Sequence, residues 1–143
     1  MTYLDTSALV KRFVEEKGSE RVAMLIVREG PAATATIAYP ELLAALARKR
    51  REGALSHRAY TRLRRAVDRD WDVYLRIDLR DEVLRRARDL VRRHPLRAYD
   101  AVHLASALQL RADLEEPVTF VAADTRLLEA ARRERLDTLD PEA

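Results

Sequence analysis

Four acidic residues, Asp5, Glu41, Asp100 and Asp124, hold the places in this 143-residue chain from which side chains could do chemistry together. Asp5 directly follows a short apolar run, residues 2–4. Asp124 follows the clearest strand-like run, Val118-Thr119-Phe120-Val121-Ala122. Glu41 opens the helix after a weaker strand candidate at 32–36. Asp100 lies in the first turn of a helix that is apolar on nearly every side. Carboxylates brought together repel, so either some hold protons or a cation sits among them. Hard oxygen donors in a chain without cysteine favour Mg²⁺ or Mn²⁺. Such a site can activate water and stabilise the charge of a phosphoryl transition state.

Each acid also has a plainer reading. Asp5 and Asp124 could be helix N-caps, and Glu41 could be favourable charge near a helix N-terminus. Asp100 resists this. A helix as apolar as Ala98-Tyr99-Asp100-Ala101-Val102-His103-Leu104-Ala105-Ser106-Ala107-Leu108 belongs in a core, and a carboxylate there needs a partner.

The elements that would position these acids alternate along the chain. Strands are expected at 2–4, 32–36, 73–77, 118–122 and 137–139. Helices are expected at 7–15, 20–28, from Pro40 to about Arg51, from the Ser56 cap to about Arg69, and at 81–93, 98–111 and 125–135. Gly18 and Gly53 punctuate them. Strands alternating with helices imply right-handed crossovers and a mainly parallel sheet covered on both faces. Ligands of such sheets bind beyond the carboxyl ends of the strands, where Asp5, Glu41 and Asp124 would lie.

Composition narrows the class. The length suits one domain, spanning 1–143, and 48% hydrophobic residues argue against disorder. Without cysteine, disulfides and thiolate metal sites are excluded. No leader-like start and no membrane-length apolar run are present, so a cytoplasmic protein is the expectation. Of 27 basic residues only Lys11, Lys17 and Lys49 are lysines, and the net charge is +3. Arginine suits phosphate, although a GC-rich genome also favours it. A pI near 9.5 is compatible with a nucleic-acid substrate.

The motifs around the four acids resemble those of PIN-domain ribonucleases, specifically the toxins of VapBC-type toxin–antitoxin pairs. Tyr3-Leu4-Asp5-Thr6-Ser7-Ala8-Leu9 looks like the family's opening motif, and Tyr39-Pro40-Glu41-Leu42 like its second acidic one. Leu96-Arg97-Ala98-Tyr99-Asp100-Ala101-Val102-His103-Leu104-Ala105-Ser106-Ala107 is the most specific match. Phe120-Val121-Ala122-Ala123-Asp124-Thr125-Arg126-Leu127-Leu128 resembles the last. The resemblance implies a single-domain α/β/α sandwich on a mainly parallel sheet and Mg²⁺- or Mn²⁺-dependent endonucleolytic cleavage of RNA. It makes Asp5, Glu41, Asp100 and Asp124 the acidic, metal-holding quartet and Ser7 an assisting hydroxyl. It also implies a toxin homodimer and a small cognate antitoxin whose tail covers the active site. One departure stands at Arg135, where the family often has glycine after the last helix.

Other residues are weighed individually. His103 shares a helix face with Asp100, but a di-iron bundle would need two such halves, so it reads as a core residue or a hydrogen-bonding support. Arg97 stands to contact phosphate or to solvate its loop. The run Arg48-Lys49-Arg50-Arg51 suits a solvated helix end, with RNA contact as the alternative. Trp71 and the tyrosines read as core or interface. Among rivals, an aspartyl-phosphate phosphatase would need an aspartate where Ser7 stands, and a receiver domain would place its acceptor after a later strand. A P-loop enzyme lacks its glycine-rich loop in a chain with three glycines. A non-catalytic RNA- or partner-binding module is the alternative from another class, and metal-dependent RNA cleavage separates it from a nuclease.

Overall fold

The computed structural model describes residues 1–143. Five short strands, β1 (Thr2–Leu4), β2 (Ala33–Ala35), β3 (Leu75–Ile77), β4 (Thr119–Val121) and β5 (Asp137–Leu139), form one sheet in the order β3-β2-β1-β4-β5. Every neighbouring pair is parallel. The helices are α1 (Thr6–Leu9), α2 (Ser19–Glu29), α3 (Ala38–Arg51), α4 (His57–Trp71), α5 (Asp81–Arg93), α6 (Ala98–Leu114) and α7 (Thr125–Arg133).

The strand order follows from the handedness of crossovers. From β1 the chain steps outward to β2 and β3, and right-handed connections put α1 to α4 on one face. It then returns past β1 to β4 and β5, which puts α5 to α7 on the other. Alternation along the strands fills both layers. Tyr3 and Phe120 pack with Leu104, Leu127 and Leu90 on the α5–α7 side, whereas Leu4 and Val121 pack with Leu9, Leu42, Leu46 and Val67 on the α1–α4 side. Fully burying such a side chain contributes roughly 1.5–3 kcal/mol, so the central strands anchor both layers. The reversal of direction between β1 and β4 opens a crevice at their carboxyl ends.

One helix is shorter than its periodicity suggests. The helix expected over 7–15 ends as α at Leu9 and tightens into a 3₁₀ turn over Val10–Arg12. The buried Lys11 ammonium explains the break, because it is held by Glu16 at 3.0 Å and by Glu142 at 2.5 Å. A straight helix would carry Glu16 past it. Gly18 completes the reversal with φ +89°, and a Cβ there would meet the Pro141 carbonyl oxygen at 2.9 Å.

The end of α7 resolves the departure at Arg135. Its backbone is left-handed (φ 62°), the Leu136 N–H donates to the Ala131 carbonyl at 3.0 Å, and the Arg135 N–H donates to that of Arg132 at 2.9 Å. These bonds make a Schellman turn, with Leu136 buried after it. The turn forms with arginine where glycine would be unstrained.

Candidate active site

Asp5, Glu41, Asp100 and Asp124 line one cavity of about 460 Å³ at the carboxyl end of the sheet, together with Ser7 and His103. The acids arrive there from four elements. Asp5 leaves β1 as the N-cap of α1, with its Oδ1 accepting from the Ala8 N–H at 2.9 Å and from the Ser7 hydroxyl at 2.7 Å. Asp124 caps α7, its Oδ1 accepting from the N–H groups of Arg126 (2.9 Å) and Leu127 (3.1 Å). The plainer reading of these two as caps is therefore true and does not compete with the sharper one. In both, the bonds of the cap fall on Oδ1, and the second oxygen takes no bond from the protein.

Glu41 stands in the first turn of α3 and is half-buried. Its Oε1 accepts from the Thr6 hydroxyl at 2.8 Å and from His103 Nε2 at 2.8 Å. On the far side of the ring, His103 Nδ1 lies 2.8 Å from the buried Tyr3 hydroxyl. Burial raises the Tyr3 pKa well above the usual value, so the phenol stays protonated beside Nδ1. Nε2 then carries its hydrogen toward Glu41, which as a carboxylate can only accept. His103 is thus the hydrogen-bonding support its position suggested. Tyr3 and Thr6 stand in the opening motif, but nothing in the sequence assigns them a role at the site. Their contacts bridge 100 and 35 residues, and no local pattern marks them.

Ser7 links the two strands that border the crevice. Its Oγ donates to Asp5 and accepts from the Ala123 N–H at 2.9 Å. Both roles of the hydroxyl are taken up in the protein, so it orients Asp5 and ties the end of β1 to the end of β4.

Asp100 lies differently from expectation. Helix α6 is buried from His103 through Leu110, but Asp100 in its first turn is half-buried and faces the cavity. It needs no bonded partner because the cavity keeps it in contact with water.

The electrostatics are those of unbalanced negative charge. Burial pushes the Asp5 carboxyl up to about 6, against the field of His103 and the bonds from Ser7 and Ala8, and the Asp100 charge pushes the same way. Asp100 is raised by burial and by Asp124, with His103 and Arg97 opposing. Glu41 is the exception. Burial would raise it, but the hydrogen bond and charge of His103 and the bond from Thr6 outweigh burial and hold it below the usual range. As the side chains lie, no three of these groups are close enough to grip one ion; they line a wall rather than converge on a point. The donor set nonetheless suits a hard divalent cation, with four carboxylates, no thiolate, and Asp5 and Asp100 raised in a way that a cation would relieve.

Cations stand at the rim. Arg48 of α3 and Arg97 at the start of α6 line the same cavity. A second depression shares Arg97, Asp100 and Asp124 with it and adds Arg126. None of these three arginines is held in an ion pair.

Residues 2–133 match the family model of the PIN domain. This chain belongs to the PIN-domain family. Within that family, the ribonuclease VapC45 of Mycobacterium tuberculosis is 37% identical over 108 residues, which cover 76% of this chain and 75% of that protein. The ribonuclease VapC47 of the same organism is 32% identical over the whole chain and 98% of its own length. Among solved structures, a toxin–antitoxin complex from Klebsiella pneumoniae superposes with a TM-score of 0.71, at 14% identity, over 99% of this chain and 98% of that one. The PIN fold accounts for the layered α/β architecture around the four acids.

Proposed function

We propose that this PIN-domain protein is an endoribonuclease and the toxin of a toxin–antitoxin pair. It hydrolyses RNA phosphodiester bonds in the cavity that Asp5, Glu41, Asp100 and Asp124 line. The observation that carries this reading is the gathering of four acids from four elements into one cavity beside β1 and β4. The names of the VapC relatives support the ribonuclease activity, and the toxin–antitoxin neighbour supports a partner.

The four carboxylates would hold Mg²⁺ or Mn²⁺. When bound, such an ion offsets their repulsion, activates water and stabilises charge on the phosphoryl oxygens. The protein's own residues supply the rest. Ser7 and the Ala8 N–H fix Asp5, while Thr6 and the Tyr3–His103 pair fix Glu41, so these ligands are oriented before substrate arrives. Arg48, Arg97 and Arg126 offer charge to the phosphates on either side of the scissile bond.

The same acids make the site easy to block. A small cognate antitoxin that places an arginine among them would displace the cation and exclude RNA. It would lie along α1, α3 and α4, where Phe13, Leu43, Tyr60 and Leu63 are only partly buried against the core. Leu9 and Leu46, by contrast, are fully buried within the monomer and are not available to a partner. The reading includes a homodimer acting in the cytoplasm.

The test is cleavage of RNA by purified protein with mapping of the new ends. Mg²⁺ or Mn²⁺ should restore activity after EDTA, and Asp100→Asn should remove it. Undiminished cleavage in EDTA, absent from the Asp100→Asn preparation, would overturn the metal site. Hydrogen exchange with the antitoxin bound should protect α1, α3, α4 and the cavity; protection confined to the β5 edge would overturn the blocking model and leave the nuclease standing.

A further inference from the structure

The charge of the chain is unevenly placed. The hairpin of α3 and α4, residues 38–71, carries nine basic and four acidic residues, while the remainder carries 18 basic and 20 acidic. The whole positive excess therefore sits on one hairpin. On α4 it is ordered. Tyr60, Leu63, Val67 and Trp71 face the core, while Arg58, Arg62, Arg65 and Arg69 recur at helical spacing on the outer side. With His57 and Thr61 they line an open concavity of about 740 Å³ to which no hydrophobic residue contributes.

These arginines are unneutralised. None of them takes part in an ion pair. The two acids of α4 are engaged elsewhere, Asp68 with the Tyr39 hydroxyl and Asp70 with Arg12 at 3.4 Å. The row extends about 16 Å along the helix at 1.5 Å per residue. This is a line of fixed positive charge, and its chemistry favours one class of partner. A docked peptide needs apolar anchors, which this concavity lacks. A phosphate backbone needs only repeated cations, preferably planar guanidinium groups.

We propose that the outer face of α4 is a second RNA-binding surface, which holds the phosphate backbone of a folded RNA away from the bond being cut. The substrate rests on the nuclease reading, but the surface itself is argued from charge and geometry outside the acidic cavity. It would make the enzyme prefer long, folded RNA over short single strands.

The experiment replaces Arg58, Arg62, Arg65 and Arg69 together by glutamine, in the Asp100→Asn background so that bound RNA is not consumed. Glutamine keeps helix propensity, and thermal melting reports whether the fold survives. A fluorescent folded RNA and a short single-stranded oligonucleotide are the probes, with poly-glutamate as a competitor. For the folded RNA, Kd at low salt should rise about tenfold or more, and the slope of log K against log salt should shrink by about 3, as the loss of four phosphate contacts requires. The short strand should bind as before. If melting shows a damaged fold, pairwise replacement of Arg58 with Arg62 and of Arg65 with Arg69 should divide the slope change between them. Unchanged affinity and slope for the folded RNA would overturn the proposal, as would equal weakening of both RNAs. Poly-glutamate binding that is lost in the variant while RNA binding persists would overturn it in favour of an acidic protein partner. Failure of the unmodified protein to cleave RNA would count against the nuclease reading and leave these binding arms intact.

Discussion

His103 Nε2 stands 2.8 Å from Glu41 Oε1, and His94 Nε2 stands 2.7 Å from Glu134 Oε1. The two pairs are alike in residue type and geometry but differ in surroundings. Glu134 also accepts two bonds from the Arg93 guanidinium, at 3.0 and 2.9 Å, so its charge is balanced and the cluster ties the end of α5 to the end of α7. Glu41 has no arginine bonded to it and shares its cavity with three aspartates. A histidine–glutamate pair is a structural staple where local charge closes, and part of a reactive site where negative charge is left over. What separates them is the neighbourhood, which neither residue type nor spacing reveals.

The largest test of that difference is removal of charge. Asp5→Asn or Asp100→Asn should abolish RNA cleavage while the metal-free protein melts at the same temperature or higher, since each relieves repulsion. His103→Ala should cost about 10–100-fold in activity by freeing Glu41. Glu134→Gln should leave activity intact and destabilise by about 1–3 kcal/mol. Activity assays and denaturation on these four variants read the contrast; a Glu134 variant as inactive as the Asp5 variant would erase it.

Next is the choice of metal. Ca²⁺ should bind the acidic cavity and support cleavage poorly, because its longer, looser coordination misplaces the water, whereas Mg²⁺ or Mn²⁺ should restore activity. None of these ions should shift the stability of an Asp5→Asn, Asp100→Asn double variant, and calorimetry of the two proteins would show it.

The two regions should also respond to pH with opposite sign. The Asp5 carboxyl lies at about 6, above the usual range, so the folded protein binds its proton more readily than the unfolded chain. Metal-free stability should therefore fall as pH rises from about 4 to 6, and Asp5→Asn should reduce that fall, with Asp100 contributing the remainder. For Glu134, burial is outweighed by the bonds from His94 and Arg93, and the carboxyl is lowered. Its contribution should be present above about 4.3, the ordinary glutamate value, and vanish as pH drops through the folded value. Denaturant titrations across this range would show the two slopes, and equal slopes would mean that burial does not distinguish the sites.

The smallest effect lies beside Glu134. Arg135 holds a left-handed backbone that glycine adopts freely. Arg135→Gly should stabilise the Schellman turn by about 0.5–1 kcal/mol, net of the extra freedom glycine gives the unfolded chain, without touching activity. A melting temperature that drops instead would mean that the Arg135 side chain contributes contacts the turn depends on.

The sequence by itself determined the alternation of strands and helices, the parallel sheet that alternation requires, and which acids sit at strand-to-helix junctions. These are local properties, written in period and in turn chemistry, and the motifs around Asp5, Glu41, Asp100 and Asp124 were specific enough to suggest the family. Tertiary structure decided the rest, because it depends on residues far apart in the chain. The order β3-β2-β1-β4-β5 placed the crevice between β1 and β4. Lys11 reached across to Glu142 and cut the first helix short. Tyr3 and Thr6 were recruited to His103 and Glu41, and the four outer-face arginines of α4 were left without ion-pair partners. Each of these is a balance of burial and charge among side chains that only the folded chain brings together, so no window along the sequence could show it.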